Sequence, residues 1–167
     1  MADFAPAYEA MIKDEGGYVL HNVQGDRGGQ TYAGIARNMN PTWSGWALID
    51  RSQDVPASLV RDFYRANFWD PILGDQINSQ AIAQSIFNFS VNVGAVARKL
   101  AQIVVDVTPD GAFGPKTLAA INAYPTDQFV MAYALAKIAR YRDIVTRDRT
   151  QLKFLLGWIN RTLQGVV

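Results

Sequence analysis

Residues 4–18 read Phe4-Ala5-Pro6-Ala7-Tyr8-Glu9-Ala10-Met11-Ile12-Lys13-Asp14-Glu15-Gly16-Gly17-Tyr18. Phe4, Tyr8, Met11 and Ile12 recur at the spacing of one helix face, which predicts an amphipathic helix over residues 3–15. Gly16-Gly17 stops it. Glutamate is scarce, with only Glu9 and Glu15 in the whole chain. On a wheel of about 100° per residue with Phe4 at zero, Glu15 falls near ~20° and Glu9 near ~140°. Glu15 is therefore expected in the middle of the apolar face. A carboxyl held against apolar side chains is expensive to ionise, so desolvation should raise its pKa, which suits a general acid working near neutral pH. The plainer reading is a helix-end glutamate in a wet turn, or one bonded to local backbone.

Helical patterning continues beyond that first stretch. Residues 18–31 form a loop rich in Gly, Asn and Asp, with room for a small β-hairpin in 18–35. Short helices are expected around 32–39 and Trp43–Asp50. Pro56 suits the start of the next helix, with Leu59, Phe63 and Phe68 on its face, and Asp70-Pro71 ends it. Ser79 can cap a long apolar helix through Ile82, Ile86, Phe89 and Val93, broken at Gly94. Further helices follow at 95–105, from Pro115 to about Ala123, near 127–147 and near 151–164. The fold class is mainly α, as one region over 1–105 and a second helical region over 106–167 packed on it as one compact globule.

Composition narrows the chemistry. The 167 residues are 49% apolar and 19% charged, enough for a sizeable core. There is no cysteine and one histidine, His21. That removes thiolate nucleophiles, disulfides and zinc sites built on Cys or on several His, and a Ser-His-Asp triad would have to run through His21. No phosphate-cradling or dinucleotide fingerprint appears, and Asp110 to Thr117 lacks the acidic ligand pattern of a calcium loop. No metal or cofactor is expected. The beginning of the chain lacks a basic and apolar leader, and no stretch reaches membrane-span length. Synthesis in the cytoplasm is expected, without specific membrane insertion, and as a monomer. From Lys137 onward there are seven Lys or Arg and two Asp. That basic region could hold a polyanion; the plainer reading is a solvated helical face, and no nucleic-acid partner is expected.

The loop after Glu15 carries Asp26-Arg27-Gly28-Gly29-Gln30-Thr31 and Gly34-Ile35. Folded back, it could present Asp26 and Thr31 to the cleft that holds Glu15. Glycoside hydrolysis needs a carboxylic acid to protonate the leaving oxygen. It also needs a second group to stabilise the oxocarbenium-like transition state or to position water. Glu15, Asp26 and Thr31 meet that requirement as catalytic candidates. Alone, Asp26 reads as a turn residue and Thr31 as a cap for a helix starting at Tyr32.

Glu15-Gly16-Gly17-Tyr18, with Asp26 to Thr31 and Gly34-Ile35, resembles the signature of glycoside hydrolase family 108, lysozyme-like N-acetylmuramidases of phages and bacteria. Phe63-Tyr64, Phe68-Trp69-Asp70 and Phe87 to Gly94 look like later blocks of that family. Asp110 to Thr117 is similar to the peptidoglycan-binding region that usually follows. One departure is the stretch between Tyr18 and Asp26, slightly longer than the commoner family loop, which often carries Asn-Asp-Pro. The resemblance implies a lysozyme-like helical fold and an endolysin or lysozyme that hydrolyses the β-1,4 bond between N-acetylmuramic acid and N-acetylglucosamine. It further implies that the wall is reached by holin-type or other dedicated release. A lytic transglycosylase and a non-catalytic wall-binding or structural module are the alternatives.

Sugar rings present apolar faces, and aromatic side chains commonly line their clefts. Trp43 and Trp46, in a Pro-, Ser- and Gly-rich stretch, are candidates for the cleft wall, with Tyr18, Tyr32 and Trp69 as further substrate-binding candidates. Trp158 falls near an apolar stripe and reads as core. Asn88 and Asn92, one turn apart on an apolar helix, either bind sugar N-acetyl and hydroxyl groups or tie down a neighbouring loop. His21 reads as an exposed loop histidine or as a substrate-binding group near Glu15.

Overall fold

The structure, a computed structural model, describes residues 1–22 and 29–166. Among them are eight α-helices and one small antiparallel sheet. The helices are α1 Phe4–Asp14, α2 Gly45–Asp50, α3 Ala57–Tyr64, α4 Gln80–Val93, α5 Ala95–Val104, α6 Pro115–Ala123, α7 Thr126–Arg147 and α8 Leu152–Leu163. The strands, β1 Leu20–Asn22, β2 Gln30–Tyr32 and β3 Ile35–Ala36, lie in the order β1-β2-β3. Two compact units divide between Asn67 and Phe68: one spans Phe4–Asn67, the other Met1–Asp3 with Phe68–Val167.

Helix ends follow the local chemistry. Ser79 Oγ accepts from the Ile82 N–H at 3.4 Å, capping α4, and Gly94 at φ +59° separates α4 from α5. Pro115 opens α6. At Arg65–Trp69 the chain runs on from α3 as a π-helical turn, and the 3-10 turn Asp70–Ile72 containing Pro71 ends the run.

The helix expected around 32–39 is not formed. Tyr32 ends β2 and Ile35 begins β3, with Thr31 opposite Ala36 and Tyr32 opposite Ile35. Ala33 (φ +49°) and Gly34 (φ +80°) make the two-residue connection. Positive φ at both central residues is the requirement of a type I′ hairpin turn, whose twist suits antiparallel strands and which a right-handed helix cannot contain.

In the sheet-bearing unit the core is Phe4, Tyr8, Met11 and Ile12 of α1 with Ile35 and Tyr64. Tyr8 packs 5.5 Å from Phe4 and 6.1 Å from Tyr64, centroid to centroid. In the larger unit α4, α5 and α7 pack together around Ile82, Ile86, Phe87, Phe89, Phe129 and Tyr133, and α8 packs on α7. Trp158 stacks 5.2 Å from Tyr141. Gln102, buried on α5, accepts from the Gly111 N–H through Oε1 at 2.8 Å, and its Nε2 reaches Asp110, Ala112 and Thr117. Two amide hydrogens thus serve three acceptors and fix the Asp110-Gly111-Ala112 turn.

Lys137 is an expensive element of this core. Its ammonium donates to Ser85 Oγ at 3.1 Å and lies 4.6 Å from the Tyr133 ring and 5.2 Å from that of Phe89. Burial pushes it down to about 8 from an ordinary 10.5. Between these values the unfolded chain holds the proton that the folded chain has released, so stability rises with pH across that window. Below pH 8 the penalty is fully present. Lys137→Met is therefore expected to be more stable than the parent at pH 7 by about 1–3 kcal/mol, with the difference shrinking by pH 9.5. Denaturant unfolding of both proteins at the two pH values measures this; parallel stabilities would contradict it.

Candidate active site

Glu15 stands at the end of α1. Its N–H donates to Met11 O at 3.0 Å, continuing the helical ladder for one residue, and then the chain reverses. Gly16 N–H donates to Lys13 O at 3.2 Å and Gly17 N–H to Ile12 O at 2.9 Å. This is the paired capping pattern of a Schellman motif, with Gly16 at φ +86° in the position that glycine favours. The shielding expected of a residue in the middle of the apolar face does not hold: Glu15, at the end of α1, is exposed.

What lies against the carboxyl is the β2–β3 turn. A Cβ placed on Gly34 would run into the Tyr64 hydroxyl and approach Glu15 Oε2 to 3.1 Å. Glycine is thus required twice over, by its positive φ and by the close approach of two side chains. Tyr64, fully buried on α3, donates its hydroxyl hydrogen to Ala33 O at 2.8 Å. Burial first, and the charge of Glu15 second, push the Tyr64 hydroxyl up, so it stays neutral. With its hydrogen directed at Ala33, the phenol oxygen is left with acceptor lone pairs only.

Thr31 sits mid-strand in β2, directly across from His21 of β1 and from Ala36 of β3. Side chains at such opposed positions stand on one face of the sheet, which brings Thr31 and His21 together. The Thr31 hydroxyl donates to Gly29 O at 3.5 Å, the outer limit of a hydrogen bond. Asp26, the third catalytic candidate, lies outside the described residues.

The aromatic candidates separate into surface and core. Tyr18 is exposed, and its hydroxyl meets that of Tyr8 at 3.0 Å. Tyr32 and Trp43 are half-buried and stack at 6.2 Å, with Phe63 and Trp46 against the Trp43 ring. Trp43 Nε1 is buried with no hydrogen-bond partner. Trp46 is buried, donating its indole N–H to Asn40 O at 2.8 Å, and Arg37 covers its ring. Trp69, in the larger unit, is fully buried and bonded to Asp75. Both rings are thus buried in packing, unlike the exposed cleft position expected for Trp46.

Asn88 and Asn92 also belong to the larger unit. Asn92 Nδ2 donates to Asn88 O at 2.8 Å, and Arg161 donates to Asn92 Oδ1 at 2.6 Å, so this amide ties α8 to α4. Asn88 Oδ1 is buried without a partner.

Sequence reasoning missed two contributors. Tyr64 entered only as part of a family-like block, and nothing local links it to a glycine thirty positions earlier. Arg37 clamps Asp50 through two bonds of 2.8 and 2.6 Å and also donates to Gln30, holding the sheet to α2. Those bonds keep the Asp50 carboxyl below its usual range.

A family model described as Glycosyl hydrolase 108 matches residues 8–94, and one described as Predicted Peptidoglycan domain matches residues 91–163. Among solved structures, that of Brucella abortus SagA is 28% identical, with a TM-score of 0.79; the match covers 98% of this chain and 91% of that one. Among curated proteins, none matches.

The geometry at Gly34 generates a stability test. Gly34→Ala is expected to cost about 2–4 kcal/mol, from positive φ and the collision with Tyr64. Tyr64→Phe, which leaves Ala33 O without its donor, is expected to cost about 1–3 kcal/mol. The double variant should cost less than the two together, because phenylalanine has no hydroxyl for the new methyl to strike. Simple additivity in urea unfolding would show that the two residues do not meet.

Proposed function

This chain belongs to the glycosyl hydrolase 108 family and carries a peptidoglycan domain, and from that premise we propose that it hydrolyses the β-1,4 bond between N-acetylmuramic acid and N-acetylglucosamine, with Glu15 as the general acid. The observation that carries this reading is the seating of the Glu15 carboxyl against Gly34 and the Tyr64 hydroxyl. The Tyr64 hydroxyl, its hydrogen committed to Ala33 O, lies beside the same glycine as that carboxyl.

In the proposed reaction Glu15 gives its proton to the glycosidic oxygen as the bond from that oxygen to the anomeric carbon breaks. The sugar passes through an oxocarbenium-like state, and the oxygen of a water bonds to the anomeric carbon. Asp26 stabilises the positive charge or takes the proton that water loses, a role resting on the family-like motif. Thr31, whose hydroxyl is only weakly engaged, orients the water. Tyr32 and Trp43 offer a stacking surface to a sugar ring, while Tyr18 and His21 flank the acid along the chain. The protein works on the wall as a monomeric endolysin after holin-type or other dedicated release.

Wild type and Glu15→Gln, incubated with isolated sacculi, test the proposal through the glycan ends identified by mass spectrometry. Wild type should release muropeptides with reducing N-acetylmuramic acid ends, and Glu15→Gln should be slower by about 10²–10⁴-fold. Anhydro-muramic ends would instead indicate a transglycosylase. Equal release by both proteins would remove Glu15 from the mechanism.

A further inference from the structure

Helix α8 carries Leu152, Phe154, Leu155, Leu156, Trp158, Ile159 and Leu163, yet Thr162 is its only buried residue. Its packed side is well defined. Trp158 stacks on Tyr141, the Thr162 hydroxyl lies 3.4 Å from that of Tyr141, and Arg161 reaches Asn92 of α4. At about 100° per residue, Leu152, Leu156 and Leu163 fall within a sector of roughly 40° on another side. They are 53%, 70% and 44% exposed. An apolar strip of this kind, rimmed by polar side chains, marks a surface that binds something.

Charge indicates what it binds. α8 contains Lys153 and Arg161 and no acidic residue, and the segment leading into it supplies Arg147 and Arg149. The two acids of this region are engaged locally. Asp143 bonds Arg142 at 2.8 Å, and Asp148 accepts from Thr150 and Gln151. Among the described residues neither Arg149 nor Lys153 forms an ion pair. A second copy packed strip to strip about a twofold axis would bring two such basic regions together, with no acid on either helix to meet them. An anionic lipid surface resolves both features: the leucines enter the headgroup–acyl boundary and the basic side chains meet phosphates.

We propose that the exposed leucine strip of α8 docks on a bilayer surface bearing anionic phospholipid headgroups. The helix lies in the interface and does not cross the bilayer: no helix among the described residues is long and apolar enough to cross a membrane. The proposal stands independently of the muramidase reading.

Flotation of the full chain with lipid vesicles tests it. Wild type should float with vesicles of phosphatidylethanolamine and phosphatidylglycerol, stay behind with phosphatidylcholine alone, and bind less as salt rises. Leu152→Ser, Leu156→Ser and Leu163→Ser combined should weaken binding about tenfold or more, and Arg149→Gln with Lys153→Gln should do likewise. The three leucines changed to Met, which keeps the strip apolar, should retain binding; this separates loss of the surface from loss of the fold. Binding that ignores the serine changes, or that does not distinguish the two lipid compositions, would overturn the proposal. So would a wild-type dimer that the serine changes convert to monomer, since that would assign the strip to a second copy.

Discussion

Between β2 and β3 the chain turns on two residues with positive φ, and the second, Gly34, has both the Tyr64 hydroxyl and the Glu15 carboxyl where a side chain would otherwise be. Three elements distant in sequence meet at this one backbone position. The end of α1 brings the carboxyl, the sheet brings the glycine, and α3 brings the phenol that bonds Ala33 O. A methyl group here would separate all three. The constraint explains why a fully buried tyrosine, an unusual hairpin turn and a helix stopped by two glycines occur in one unit. Each is the means by which the others hold position.

The larger unit is organised differently. Its long helices bury an aromatic and aliphatic core, and its polar groups mostly serve connections. Gln102 holds the Asp110–Ala112 turn, Asn92 receives Arg161 from α8, and Asn122 bonds both the Gln76 carbonyl and the Asn78 N–H. Lys137 departs from that economy, a buried ammonium with one hydroxyl partner and two aromatic faces. α8 departs in the opposite sense, leaving most of its apolar residues outside the core.

Much of this was legible in the sequence where chemistry is local. Pro115, the Ser79 cap and the stop at Gly16-Gly17 place helix ends within a residue or two, because capping depends on a few adjacent atoms. The 32–39 region was misread because Ala33 in the left-handed region is uncommon, so the turn showed only one glycine where two are frequent. Glu15 was located by its wheel position, but its exposure was not, since a wheel gives an angle around the helix and not how far other elements cover its end. Trp46 was read as a cleft-wall residue from its Pro-, Ser- and Gly-rich stretch, and Trp69 as a further substrate-binding candidate. Their burial depends on Asn40, Arg37 and Asp75 meeting them in three dimensions. Tyr64 was invisible as a site residue for the same reason, since its significance lies in what stands beside it.

The central claim is that the carboxyl lodged at Gly34 faces the bond that breaks. A crystal structure of Glu15→Gln soaked with an oligomer of alternating N-acetylglucosamine and N-acetylmuramic acid examines it directly. The account predicts a glycosidic oxygen within about 2.6–3.2 Å of the residue 15 side-chain amide, on the face away from Tyr64. A saccharide bound in a groove that does not include residue 15, with a different carboxylate at its glycosidic oxygen, would contradict it.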